Sequence, residues 1–124
     1  MMTDHHHQPL DFSYLIEMVG DDPIFLADFF KTFVDHIPVY LAEMENAFAN
    51  GNWSKVSHCA HKMKPTFSYI GRNDVKQLVE AIEKHAQNNI GPDKIQSDIE
   101  KLKLICADIC TQLEQEKLKL SAKQ

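Results

Sequence analysis

Apolar residues recur at Leu26, Phe30, Phe33, Ile37, Leu41, Met44 and Phe48, in steps of three and four. That spacing matches one face of a helix with 3.6 residues per turn. Asp21, Asp22 and Pro23 supply the cap and first-turn chemistry of this helix, and Asn50 and Gly51 stop it. Pro38 lies inside the stripe and predicts a kink or short break near His36, with the stripe continuing on the same side.

The same period recurs along the chain. A short apolar-rich segment, Asp11 to Met18, precedes this helix and ends at Gly20. A third helix from about Asn52 places Trp53, Val56, Ala60, Met63, Phe67 and Ile70 on one side, and Gly71 is a left-handed stop. Asn73 caps a fourth, with Val75, Leu78, Ile82 and Ala86 inward and Asn88, Asn89 and Gly91 at its end. Pro92 opens a long fifth helix with Ile95, Ile99, Leu102, Ile105 or Cys106, Ile109 and Leu113 on one side.

Strand alternation is absent from the sequence. The expected fold class is therefore all-α: an up-down-up-down four-helix bundle over residues 11–118, with the short N-terminal helix covering one end. Residues 1–10 are expected to form a disordered N-terminal segment and residues 119–124 a frayed C-terminal tail. His5 to His7 are native or a remnant of an added tag and stay outside the fold.

Composition narrows the class. At 124 residues, 44% hydrophobic and 25% charged, the chain is long enough to bury one core without staples. No apolar run approaches the roughly 18 residues of a membrane span, and no charged leader with an apolar centre opens the chain. A cytoplasmic location is expected. Cys59, Cys106 and Cys110 are an odd set without CxxC spacing, so they read as reduced, apolar packing residues rather than a disulfide or zinc framework.

Charge is distributed unevenly. Residues 1–51 hold nine acids and one base (−8), residues 52–76 five bases and one acid (+4), and residues 77–124 seven bases and eight acids (−1). Lys55, Lys62, Lys64, Arg72 and Lys76 form a basic island in an acidic chain. Such an island suits a localised anion or an acidic partner pocket and is too small for nucleic acid.

Within that island, Pro65 stands mid-helix and has no amide to offer the carbonyl of His61, four residues earlier. At 100° per residue His61 points roughly 130° from the centre of the apolar stripe, so it is expected to be exposed, with Lys64 one turn along. By geometry alone, an exposed histidine is more often inert than functional. His58, one turn before, makes an HxxH pair that a metal could use, although no carboxylate at close spacing completes a site. His36 and His85 are expected at helix boundaries.

The run AHKMKPTFSYIG, residues 60–71, resembles the signature of the histidine-containing phosphotransfer (HPt) domains of two-component phosphorelays. Ala60, His61, Met63, Lys64 and Gly71 match in place, and the opening DFSYLIEMVGDDPIFLADFFKTFVDHIP is similar to the family's first two helices. The resemblance implies that His61 accepts a phosphoryl group from a receiver-domain aspartyl phosphate and passes it to another receiver. Lys64 would stabilise the phosphate, assisted less directly by Lys62 and Lys55. Imidazole suits this task, being largely neutral near pH 7 without a dedicated base.

Carried over without gaps, the polar residue that orients the histidine ring in the family falls at Glu83, with Glu80 one turn earlier; Ser68 lies near the same face. Pro65 departs from the family's usual glycine, which leaves room for a receiver's loops. Partner-binding candidates are Lys62, Pro65, Ile16, Met18 and Phe25, with Val19 and Phe29 beside them. Response-regulator receivers and a hybrid sensor histidine kinase are the implied partners of a monomer that binds neither nucleic acid nor membrane. Mg²⁺ is expected on the receiver and no cofactor on this chain, because the dispersed glycines make no phosphate-cradling loop and no ATP site is visible. Two alternatives stay open: an adaptor of the same fold that docks receivers without being phosphorylated, and a metal-binding bundle using His58 and His61.

Overall fold

A computed structural model describes residues 8–89 and 91–122, with side chains as far as residue 120. It contains five helices: α1 (Ser13–Val19), α2 (Pro23–Ala49), α3 (Trp53–Tyr69), α4 (Asn73–Gln87) and α5 (Pro92–Ala122). The described residues contain no strand. The long helices pack in the cyclic order α2, α3, α4, α5 and back to α2, and α1 lies on α3. Short turns make each neighbour antiparallel, so this is the expected up-down-up-down bundle.

The core is what the periodicity predicted, with local exchanges. Leu26, Phe30, Phe33, Ile37, Leu41 and Met44 are buried, but the last α2 position goes to Ala47. Phe48 is instead half-buried with its ring 5.4 Å from that of Trp53. On α4, Val79 takes the buried place expected for Leu78, and on α5 both Ile105 and Cys106 are buried. Leu15 of α1 is buried, while Phe12 meets Phe30 at 4.7 Å and Tyr14 stacks on Tyr69 at 5.6 Å. These contacts seat α1 over the end of the bundle where α2 begins and α3 ends. Burying one such leucine side chain contributes about 1.5–3 kcal/mol.

Several boundaries differ from expectation. Helix α2 runs through Pro38 without a break, so His36 is interior, whereas His85 does lie in the last turn of α4. Tertiary packing of the continuous apolar face outweighs the one hydrogen bond that Pro38 removes. Asn73 is the first residue of α4 rather than its cap, a place held by Arg72. Asn89, with φ 53°, makes the left-handed turn after α4, and Gly91 opens α5. Helix α5 continues to Ala122, past the expected fray at 119, and Leu120 packs against the core. Gln112 donates to the Gln8 carbonyl at 2.9 Å and Leu10 touches the core, so residues 8–10 are tied to the bundle. The rest of the expected N-terminal segment, with His5 to His7, lies outside the described residues, as do residues 123–124 of the tail.

The turn between α3 and α4 is the tightest junction. Gly71 has φ 74°, its amide reaches the Ser68 carbonyl and the Arg72 amide reaches the Phe67 carbonyl, which together close α3 with paired capping bonds. The Asp11 amide also donates to the Ile70 carbonyl at 3.0 Å, pinning the chain entering α1 onto this turn. A Cβ at position 71 would sit 2.6 Å from the Asp11 Cβ and 2.8 Å from its carbonyl oxygen. Gly51, at φ 67°, closes α2 similarly but has open space around it. Gly71→Ala should therefore lose about 2–4 kcal/mol in urea unfolding, backbone conformation and overlap combined. Gly51→Ala, with only the backbone cost, should lose about 1–2 kcal/mol; equal losses would contradict the close approach to Asp11.

Candidate functional site

Helix α3 presents its chemistry on the side opposite its core face. Val56, Cys59, Ala60, Met63 and Phe67 are buried, and His61 stands out with its side chain 64% exposed. From α4, the residue after buried Ile82 rises beside it: Glu83 Oε2 is 2.8 Å from His61 Nδ1. The other oxygen, Oε1, accepts from Lys64 Nζ at 3.2 Å. Glu80, one turn earlier, lies 3.9 Å from the same ammonium. Glu83 is 13% exposed and holds one group on each oxygen, so its position is determined from both sides.

This geometry selects the ring's tautomer. An ionised carboxylate only accepts hydrogen bonds, so the Nδ1 facing it carries the proton. In the neutral ring the lone pair then lies on Nε2, the nitrogen that Glu83 does not hold, on a side chain that is mostly exposed. What the site offers is an exposed nitrogen nucleophile with a fixed ring, a lysine one turn along, and a carboxylate able to balance positive charge on the imidazole.

The basic island divides when folded. Lys64 stays at the histidine; Lys62 turns toward α2, 4.0 Å from Glu43 and 4.9 Å above the Tyr40 ring. Lys55 is exposed nearer the start of α3. Arg72 leaves the surface altogether: it is fully buried, and its Nε and Nη2 donate to the two oxygens of Asp74 at 3.0 Å each. Arg72 therefore drops out of the basic island expected from the sequence, its side chain buried directly after the left-handed turn at Gly71. The acid two residues on was the sequence signal that it has a local partner. The Arg72 guanidinium holds the Asp74 carboxyl below its ordinary value of 3.8.

Pro65 is exposed one turn after His61, inside a helix that continues to Tyr69. Ser68 lies two turns from His61, about 10 Å along the axis, and lines a separate cleft with Asp11, Ser13, Tyr14 and Glu17. Ile16, Met18, Val19 and Phe25 are all exposed, and Tyr14 and Ile24, which lie off the apolar stripes, are exposed with them. Phe29 is half-buried and lines a cleft of about 170 Å³ between α2 and α3 with His36, Tyr40, Lys62, Thr66 and Tyr69. Neither this cleft nor the second one is legible from one helix at a time.

The remaining candidates are plain. Burial pushes the thiols of Cys59 and Cys110 up and that of Cys106 to about 12, and all three are free. Among the described residues, no group of three or more His, Cys, Asp or Glu is arranged to hold a metal ion. No helix among them is long and apolar enough to cross a membrane.

Comparison with protein families matches residues 28–116, 89 of the 124, to the Hpt domain. The matched segment contains His61, Lys64, Pro65 and Glu83 and excludes α1 and the start of α2. Searches among curated proteins and among solved structures gave no match.

Two measurements check this geometry. In ¹⁵N NMR at neutral pH the unprotonated His61 ring should be biased to the Nδ1–H form, and Glu83→Ala should abolish the bias; an unchanged tautomer ratio would mean that Glu83 does not orient the ring. Asp74, with its folded pKa below the unfolded one, stabilises the fold above about pH 4, a contribution lost as pH falls through the folded value. Asp74→Asn should cost about 1–3 kcal/mol at pH 7, less than the roughly 3–5 kcal/mol of breaking a fully buried ion pair because the Asp74 side chain is 42% exposed. The variant should also show a shallower acid limb in stability against pH.

Proposed function

The chain belongs to the Hpt domain family, whose role is histidine phosphotransfer in phosphorelays, and from that premise we propose that His61 is its phosphate acceptor. The observation that carries this reading is the 2.8 Å contact between His61 Nδ1 and Glu83, which leaves Nε2 on the exposed side of the ring. The donor is the aspartyl phosphate of a receiver domain. Nε2 attacks phosphorus in line, the N–P bond forms as the P–O bond to the aspartyl carboxylate breaks, and that carboxylate leaves as an anion.

In this tautomer the attacking nitrogen carries no proton, so none has to be removed before attack. Positive charge developing on the ring is balanced by Glu83 across the Nδ1–H bond. Lys64 has three donors, so it can keep its bond to Glu83 while another N–H meets a phosphoryl oxygen. Return of the phosphoryl group to a second receiver is the same displacement reversed.

Mg²⁺ and the acidic pocket belong to the receiver in this scheme, and the chain acts as a phosphocarrier without an ATP site of its own. Ile16, Met18, Phe25 and their exposed neighbours, with Lys62 and Pro65, supply the docking surface, and a small, transient interface suits a carrier that must release. A hybrid histidine kinase upstream, a monomeric state and a cytoplasmic location complete the proposal.

The test is transfer from an isolated receiver charged with acetyl phosphate and Mg²⁺. Wild type should gain acid-labile, base-stable label and His61→Gln none. Lys64→Ala should keep the label but acquire it at least about tenfold more slowly, the loss of one charge-assisted contact. Receiver binding without label on wild type would replace the carrier with a docking adaptor.

A further inference from the structure

In a regular helix the carbonyl of His61 would accept the amide of residue 65. Pro65 has no amide, and its ring crowds that carbonyl. Helix α3 nevertheless continues through this turn, and His61 and Pro65 are both exposed. This turn of α3 therefore lies on the solvent side, where helix carbonyls generally tilt outward toward water.

A receiver that brings its aspartyl phosphate to Nε2 within reacting distance, about 3–3.5 Å, must cover the residue that owns this carbonyl. Docking then expels the water. We propose that the main-chain carbonyl of His61, released by Pro65, is a recognition point that selects receivers able to present a hydrogen-bond donor to it. The inference rests on His61 being the phosphate acceptor and names what its partner must carry. A receiver offering an N–H or O–H restores the lost bond; one that buries the carbonyl unpaired is disfavoured by about tenfold or more. Selectivity arises from the penalty on wrong partners as much as from the bond to the right one.

The molecule contains its own control. Pro38 similarly removes the amide that would serve Val34, but it lines a groove between α2 and α5 with Ile37, Leu41, Cys106 and Ala107, on the opposite side of the bundle from the α3–α4 site. Its replacement alters a helix turn without touching the face that a receiver would cover.

The experiment compares wild type, Pro65→Ala, Pro65→Gly and Pro38→Ala as acceptors from a panel of isolated receivers charged with acetyl phosphate. Direct labelling by phosphoramidate, which needs no docking, runs alongside. The substitutions at 65 restore an amide and relieve the proline's conflict with the helix, so folding is not at risk. Each protein's transfer rates are divided by its own phosphoramidate labelling rate, which removes any effect of the substitution on the histidine itself. Both Pro65 variants should narrow the spread of transfer rates between best and worst receivers by about tenfold, and Pro38→Ala should leave it unchanged. An unaltered spread in both Pro65 variants, or a change in only one of them, would overturn the proposal, the second outcome assigning the effect to side-chain shape. If wild type accepts label from neither phosphoramidate nor any receiver, the reading of His61 as acceptor fails and this inference falls with it.

Discussion

The left-handed turn at Gly71 sets the register between α3 and α4, and the site exists only in that register. His61 lies ten residues before the glycine and Glu83 twelve after it. At 1.5 Å per residue these are about 15 and 18 Å from the turn along antiparallel helices, so they meet at nearly the same height. The turn is tightly constrained: capping bonds run from Gly71 and Arg72 back to Ser68 and Phe67, Asp11 is pinned to Ile70, and no room remains for a Cβ. The entry to α1 is thereby attached to the same junction that aligns the two chemical helices.

From this register follows an economical arrangement of charge. One carboxylate, largely withdrawn from solvent, faces a histidine with one oxygen and a lysine with the other. The lysine compensates the acid, and in the proposed transfer the acid would compensate positive charge on the ring. Partial withdrawal from water makes each of these contacts stronger than its surface equivalent. The other cations are kept elsewhere, Lys62 over an aromatic ring on α2 and Arg72 inside the bundle on Asp74. Of the basic island, Lys64 is the cation that shares Glu83 with His61.

Two prolines sit within helices that do not break. Each removes one backbone hydrogen bond, while the apolar stripes on either side bury several large side chains, and that burial decides the outcome. Both prolines are exposed, and at exposed positions water can take the place of a missing donor.

How much was legible depended on the range of the interaction concerned. Helix number, order and most of the core followed from spacing, because amphipathic periodicity is local and each stripe must be buried against its neighbours. The exposure of His61 and the proximity of Lys64 likewise followed from 100° per residue. Glu83 was reached through a resemblance between sequences; its hydrogen bonds are properties of two helices in register. Leu78 lies inside α4, half-buried beside Val79 on the edge of the core, whereas Phe48 and Arg72 sit at a helix end and a turn, where the direction of a side chain is set by neighbouring elements. The unbroken α2 has the same origin, since local propensity argued for a break and packing removed it. Sequence periodicity alone determined the bundle and which face of α3 carries the chemistry, because both depend on neighbours a few residues apart. The tertiary structure decided which cation shares a carboxylate with the histidine, which one is buried and which ring nitrogen faces that carboxylate, because those depend on contacts between helices.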